Sequence, residues 1–203
     1  MSFTFKTLAR GVLVAALSAW LAGCGVNDIP AYEEAAKAAW AQVENQYQRR
    51  ADLVPNLVET VRAYAAHERE TLQAVVDARS RVGQVQLSPD QLSDPEAFKR
   101  FEEMQRGLTG ALSRLLVVVE QYPDLKANQN FATLQAQLEG TENRISVARR
   151  DFIQAVQRYN TELRTFPGRI WAQILYADAR PMQTFTSEPS TAQAPRVNFG
   201  TRP

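Results

Sequence analysis

The amino-acid sequence predicts an all-α fold: an antiparallel bundle of three long helices, followed by a short C-terminal helix and an extended tail. Apolar side chains recur at alternating spacings of three and four residues through three long segments, as in helices that pack along a seam. No segment alternates apolar and polar residues for long enough to form a strand. Prolines and helix-capping residues fall between the three segments, and the short connections imply antiparallel neighbours.

The first helix is predicted over residues 31–83. Its apolar stripe is interrupted by polar residues at three positions, Arg50, Glu68 and Thr71. The apolar residues of the stripe are Trp40, Val43, Tyr47, Val54, Leu57, Val61, Tyr64 and Val75. Pro55 lies inside this segment. Since proline lacks an N–H and its ring clashes with the carbonyl of Ala51, we expect a kink at Pro55 and not two separate helices. A straight helix of this length would measure ~80 Å at ~1.5 Å per residue.

The second and third helices are bounded by capping residues and prolines. We predict that the second begins after Asp94, which caps it ahead of Pro95, and stops at Pro123. The third begins after Asn128 and stops before Pro167. The stripe of the second helix consists of Phe98, Phe101, Gln105, Leu108, Leu112, Leu115, Val119 and Tyr122. The stripe of the third helix consists of Phe131, Leu134, Leu138, Thr141, Ile145, Ala148, Phe152, Ala155 and Tyr159.

The N-terminal segment has the features of an export signal. Lys6 and Arg10 precede an apolar run, residues 11–21, which is shorter than the ~20 residues of a membrane-spanning helix. The run ends in Leu21-Ala22-Gly23-Cys24, which resembles the lipobox of bacterial lipoproteins, where the cysteine is acylated and becomes the new N-terminus. Because Cys24 is the single cysteine of the chain and stands at the required position, we predict lipidation there. An uncleaved anchor helix with an incidental cysteine is the alternative.

The chain therefore divides into four parts: a lipoprotein signal peptide (1–23), a lipidated tether (24–30), a helical bundle domain (31–177) and an extended, flexible C-terminal tail (178–203). The tail is predicted from its content of Pro, Thr, Ser and Gln. Gly25, and not an aspartate, follows Cys24. By resemblance to Gram-negative lipoproteins, this favours the outer membrane, with the domain facing the periplasm; the inner membrane stays open as an alternative.

The composition excludes several classes of function. With 23 basic and 22 acidic residues the net charge is +1, whereas a general nucleic-acid binder carries a basic excess. One cysteine and one histidine, His67, cannot form a disulfide, a cysteine-rich zinc site or a two-histidine metal site. The sequence contains no glycine-rich phosphate loop and no nucleophile elbow. We therefore expect no metal, no cofactor, no nucleic acid and no small-molecule substrate.

Polar residues surround Pro55 on the first helix: Arg49, Arg50, Asp52 and Asn56. Two interpretations are open. In the first, these residues belong to an interhelical polar network in which Arg50 pairs with a carboxylate of another helix, such as Glu120 or Glu142, and fixes the register of the bundle. In the second, they form a site for a partner at the place where Pro55 frees backbone carbonyls.

Several strings occur in a fixed order along the chain: QRRADLVPNLV at 48–58, YAAHE at 64–68, YPDLKAN at 122–128, EGTENRI at 139–145, ARR at 148–150, YN at 159–160 and FP at 166–167. Together they closely resemble the LemA family, over about residues 31–185. The resemblance implies a membrane-tethered antiparallel helical bundle, and it does not imply an enzyme activity. Many members carry an N-terminal transmembrane helix, whereas this apolar run ends at a lipobox. Asn143, Arg149 and Asn160, polar residues of these strings, join the candidates for the network or partner site.

We therefore expect a lipid-anchored envelope protein that is not an enzyme and acts as a scaffold or binds a partner. Its partners would be the membrane, through acylated Cys24, and an unidentified envelope protein. A second hypothesis is an envelope or cell-wall hydrolase that uses paired helix carboxylates, such as Glu102 with Glu103 or Glu139 with Glu142. A third is a coiled coil at the membrane surface that oligomerises through exposed heptads.

Overall fold

The computed structural model describes residues 25–186, and every regular element among these residues is a helix. In chain order the elements are α1 (Asp28–Tyr64), α2 (Arg69–Gln84), a 3-10 helix (Pro89–Gln91), α3 (Pro95–Val119), α4 (Pro123–Lys126), α5 (Gln129–Glu162) and α6 (Gly168–Ile174). The prediction of an all-α helical bundle is therefore confirmed.

Helices α1 and α5 form the longest pair and run antiparallel. Near the start of α1, Trp40 packs on Phe152 with ring centroids 5.2 Å apart. At the end of α1, the hydroxyl of Tyr64 accepts a hydrogen bond of 2.9 Å from Nδ2 of Asn128. Helix α2 folds back along α1, and α3 packs against α2 and runs in the direction of α1. The described chain is therefore an up-down-up-down bundle of four main helices.

The predicted single helix over residues 31–83 is wrong, because the chain turns at residues 65–68. Folding back places Leu72 and Val75 in the same core as Val58 of α1. In a straight helix these side chains would extend past the ends of α3 and α5 into water. Burial of apolar surface therefore favours the turn.

Helix α1 continues through Pro55, as predicted. Since Pro55 has no N–H, the carbonyl of Ala51 lacks a partner within the helix. Nε of Arg79, on α2, donates a hydrogen bond of 3.1 Å to this carbonyl. The gap that proline leaves in the helical hydrogen-bond ladder thus becomes a contact that ties α2 to α1.

The predicted caps of α3 and α5 are confirmed. Oδ1 of Asp94 accepts hydrogen bonds from the N–H groups of Glu96 and Ala97 at 2.9 and 3.3 Å. Oδ1 of Asn128 accepts in the same way from the second and third residues after it, at 2.8 and 3.1 Å. These bonds satisfy N–H groups that have no partner inside the helix and determine where each helix begins.

Two hydrophobic clusters fill the bundle. The first, called the aromatic cluster below, surrounds the fully buried Trp40, which packs against four rings: Phe98, Phe101, Phe152 and Phe185. The second contains mainly aliphatic residues around Leu108. Arg50 stands between the clusters on α1, since Tyr47 belongs to the first and Val54 to the second.

The tail that is predicted as extended and flexible from residue 178 packs against the bundle over its first residues. Residues 181–186 have no regular secondary structure, but Met182 and Phe185 are buried, and Phe185 belongs to the aromatic cluster. The prediction of an unpacked tail is therefore wrong for this stretch, which we call the C-terminal strap. The polar composition of the segment gave no indication that its two apolar side chains, Met182 and Phe185, would be buried in the core. Residues 187–203 lie outside the described residues.

Candidate functional site

Arg50 lies inside the bundle with 1% of its surface exposed. Its Nη1 donates hydrogen bonds to Oγ1 of Thr109 at 2.9 Å and to Oε1 of Glu142 at 3.0 Å. Its Nη2 donates to Oε1 of Gln105 at 2.6 Å and to the carbonyl of the same residue at 3.3 Å. Since Gln105 and Thr109 belong to α3 and Glu142 belongs to α5, this Arg50 network connects three helices.

The charge of Arg50 faces a carboxylate and an aromatic ring. The side chain of Glu142 keeps 41% of its surface exposed, so water solvates one side of the carboxylate while the other side pairs with the guanidinium. The guanidinium carbon lies 5.0 Å from the ring centre of Tyr47, a cation–π distance. Burial raises the pKa of Tyr47, so its hydroxyl stays protonated and the ring stays neutral.

The other polar residues predicted around the proline lie on the outer face of α1. Arg49, Asp52 and Asn56 are all exposed. Asp52 accepts a hydrogen bond of 2.8 Å from Gln48, one turn away on the same helix. Arg49 lines an open groove between α1 and α5. Of the four residues that the sequence places around Pro55, the structure therefore brings Arg50 alone into the Arg50 network.

The predicted residues outside α1 have separate positions. Glu142 pairs with the buried arginine, whereas Glu120 pairs with a lysine of α4. Asn143 is exposed on α5. Arg149 places its guanidinium carbon 4.1 Å from the ring centre of Phe185. Arg149 therefore contacts the C-terminal strap and does not join the Arg50 network.

Asn160 fastens the C-terminal strap to α5. Its Nδ2 donates a hydrogen bond to the carbonyl of Met182, and its Oδ1 accepts one from the N–H of the same residue, both at 2.9 Å. The N–H of Gln183 donates to the carbonyl of Leu92 at 2.8 Å. A side-chain amide can pair in this way because it carries both donors and an acceptor. The strap is thereby held with Phe185 inside the aromatic cluster.

Replacing Asn160 with aspartate should loosen the strap and leave the bundle folded. The carboxylate still accepts the N–H of Met182, but it cannot donate to the carbonyl and places a negative charge against it. We expect hydrogen exchange of the Met182 amide to become about tenfold faster, which corresponds to ~1.4 kcal/mol of local stability. Asn143→Asp, at an exposed position of the same helix, is the matched control. Equal protection of the Met182 amide from hydrogen exchange in both variants would contradict the role of Asn160 in holding the C-terminal strap.

One carboxylate pair of the hydrolase hypothesis is engaged in other contacts. Glu142 pairs with Arg50, and Glu139 accepts a hydrogen bond of 3.0 Å from Gln135 on the surface of α5. Within residues 25–186, no three side chains of the metal-binding types come together. Glu139 and Glu142 are therefore both bonded to other side chains of the bundle.

The predicted lipidation site, Cys24, lies outside the described residues. Gly25, the residue after it, lies at the end of the bundle where α1 and α6 begin. A Cβ atom placed on Gly25 would be 3.4 Å from Cγ of Pro167. None of the helices in the described part of the chain combines the length and apolar character that crossing a bilayer requires.

The fold and the Arg50 network together define a class of protein: a long antiparallel helical bundle in which a buried polar network joins the helices at mid-length. The chain belongs to the LemA family, whose sequence profile matches residues 39–199. The match includes all the residues of the Arg50 network and the C-terminal strap. The family predicted by resemblance is therefore confirmed.

Three curated relatives carry the name magnetosome protein MamQ. MamQ 1 and MamQ 2 of Paramagnetospirillum magneticum (strain AMB-1) are each 27% identical over 157 residues. MamQ of Magnetospirillum gryphiswaldense (strain MSR-1) is 28% identical over 159 residues. Each match covers 70% of this chain and 58% of the relative, so the chain spans little more than half the length of these relatives.

Proposed function

We propose that this protein is a lipid-anchored protein of the bacterial envelope whose helical bundle is a non-catalytic scaffold for another envelope protein. The anchor is an acylated Cys24, and the bundle faces the periplasm. Gly25, directly after the anchor, favours the outer membrane. Membership of the LemA family supports association with a membrane, since the family resemblance implies a membrane-tethered bundle.

The observation that carries the scaffold assignment is the Arg50 network. Its charged and amide side chains are of the kinds that bind ligands, and here they bond to one another across three helices. In the proposed role, this network stiffens the bundle and sets which positions of the helices face one another. Helix α1 alone, with 37 residues, extends ~55 Å at ~1.5 Å per residue. A rod of this length, anchored next to Gly25, presents the α1–α2 turn at its far end.

Replacing Cys24 with serine should abolish incorporation of a labelled fatty acid, because a hydroxyl cannot replace the thiol that forms the thioether to the diacylglyceryl group. Metabolic labelling in a Gram-negative host, followed by membrane fractionation, measures the loss. Gly25→Asp is the matched control: it should keep the label, and by resemblance to other lipoproteins it should retain the protein in the inner membrane. Undiminished labelling of the serine variant would contradict lipidation at this position.

The scaffold assignment predicts a specific neighbour in the envelope. A photoactivatable amino acid in place of His67, exposed in the α1–α2 turn, or of Arg49, exposed on α1, should crosslink in cells to one recurring envelope protein. Mass spectrometry of the adducts identifies that protein. Adducts that contain copies of this chain alone would favour the oligomeric coiled coil, and the absence of any adduct at both positions would contradict the scaffold.

A further inference from the structure

Residues 166–175 carry four large apolar side chains that stay exposed, and we call them the apolar patch: Phe166, Ile170, Ile174 and Leu175. The most exposed are Phe166 at 84% and Ile174 at 68%. Ile170 and Ile174 lie one turn apart on the same face of α6. The other exposed large apolar residues of the described chain are single positions on four different helices: Tyr64, Val76, Val117 and Val147. A cluster of this kind marks an interaction surface, whereas isolated residues do not.

The opposite face of α6 is packed against the bundle. Trp171 and Ala172 contact the hydrophobic core that contains the aromatic cluster. Gly168 approaches the end of α5 so closely that a Cβ atom on it would clash with the carbonyl oxygen of Glu162. The apolar patch is therefore a fixed surface of the bundle and not the side of a loosely attached helix.

The apolar patch lies where the chain enters the bundle. Pro167, next to Phe166, is the residue that Gly25 approaches. In the sequence, Gly25 directly follows Cys24 and the apolar run of residues 11–21. A membrane anchor in this N-terminal segment, whether lipid or peptide, therefore attaches to the bundle beside the apolar patch.

The stretch that carries the apolar patch is itself basic. Arg164 and Arg169 are both exposed. In the sequence, Arg164 lies before Phe166 and Arg169 lies after it. Residues 163–177 contain these two arginines and no acidic residue, whereas Glu162 and Asp178 border the stretch and Glu162 lies against Gly168. Basic side chains beside an apolar face are typical of helices that lie in the headgroup region of bilayers with anionic lipids.

We propose that the apolar patch inserts into the headgroup region of an anionic bilayer, beside the N-terminal anchor. The second contact holds the bundle in one orientation, whereas a tether alone would let it swivel. The inference rests on the proposed function in one respect, that the bundle is held at a membrane. It does not depend on acylation of Cys24.

The test uses the full, unprocessed chain with Trp20→Phe, so that Trp40 and Trp171 are its fluorescent tryptophans. The thiol of Cys24 is coupled to a maleimide phospholipid in vesicles of phosphatidylglycerol and phosphatidylethanolamine, which fixes the anchor chemically. We expect brominated acyl chains to quench the fluorescence, because Trp171 is only partly buried and lies on the helix that carries the patch. The further replacement Trp171→Phe should remove the quenching, because Trp40 is buried in the core.

The double variant Ile170→Ser, Ile174→Ser should lower the quenching to the level of the Trp171→Phe chain. Val117→Ser with Val147→Ser removes apolar side chains of matching exposure from other helices and should leave the quenching unchanged. An unquenched parent chain, or quenching that survives the loss of both isoleucines, overturns the proposal.

A second copy of the chain is the competing occupant of the apolar patch. In that case the tryptophan emission would shift to the blue as the protein density on unbrominated vesicles rises, and brominated lipid would have no effect. This result also overturns the proposal. Because chemical coupling replaces acylation here, a negative result is independent of the fatty-acid labelling of Cys24, and the two failures are distinguishable.

Discussion

Replacing Trp40 with alanine should lower the free energy of unfolding by about 3–5 kcal/mol, the range for large aromatic residues removed from well-packed cores. Trp40 is fully buried against four phenylalanine rings of α3, α5 and the C-terminal strap. Its Nε1 also donates a hydrogen bond of 3.0 Å to the carbonyl of Leu87, between α2 and α3. The cavity therefore weakens several elements at once, and we expect the melting temperature to fall by ~10 °C.

Two further variants separate the causes of this loss. Trp40→Phe keeps an aromatic ring in the core but leaves the buried carbonyl of Leu87 unpaired, which should cost about 1–3 kcal/mol. Val117→Ala, at an exposed position of α3, should stay within ~0.5 kcal/mol of the parent. Thermal and urea unfolding followed by circular dichroism measure all three. Equal stability of the Trp40→Ala and Val117→Ala chains would contradict the packing of the aromatic cluster.

Local signals in the sequence predict where α3 and α5 begin, because each capping side chain bonds N–H groups two and three residues further on. The end of α1 has no such signal, since Ala65 and Ala66 are good helix formers. The turn there depends on distant groups. Leu72 becomes buried only when α2 folds back along α1. The hydroxyl of Tyr122 donates a hydrogen bond of 2.9 Å to Glu68, which lies in the turn. The periodicity of apolar residues along one helix contains no information about contacts between residues that are far apart in the sequence.

The candidate site also contains some residues that the sequence identifies and others whose positions depend on long-range packing. Arg50 is identifiable because a charged residue in an apolar stripe needs a buried partner. Gln105 also occupies a stripe position and could have been identified by the same reasoning. The choice between Glu142 and Glu120 depends on how the helices align, which the turn after α1 decides. The C-terminal strap has no periodicity, and its burial depends on Asn160 and on a pocket built by three helices.

Arg50→Met should destabilise the bundle by ~2 kcal/mol, even though methionine fills much of the space, because partners are left without donors. Glu142 is 41% exposed, so water can solvate its carboxylate once the guanidinium is gone. Gln105 is 5% exposed and loses the donor that lies 2.6 Å from its Oε1. The unpaired buried amide therefore accounts for most of the loss, and the lost attraction to Glu142 accounts for little of it.

Removing the unpaired amide of Gln105 should restore much of the lost stability. Adding Gln105→Leu to Arg50→Met should restore at least half of the lost stability, because apolar replacements of buried polar groups are often neutral. Gln105→Leu alone should destabilise, since Arg50 then loses its closest acceptor. Urea unfolding of the four chains gives a coupling energy, which we expect to be ~1–2 kcal/mol, and simple additivity would exclude Gln105 as the cause.

The double variant Arg50→Met, Gln105→Leu also separates the contribution of the Arg50 network to stability from its contribution to the alignment of the helices. If the network selects one alignment of α1, α3 and α5, the double variant should be stable and yet show broadened amide signals around Thr109 in NMR spectra, because nothing polar then prevents the helices from shifting along one another. Sharp signals in a chain of restored stability would contradict that role, since the apolar stripes would then set the register by themselves.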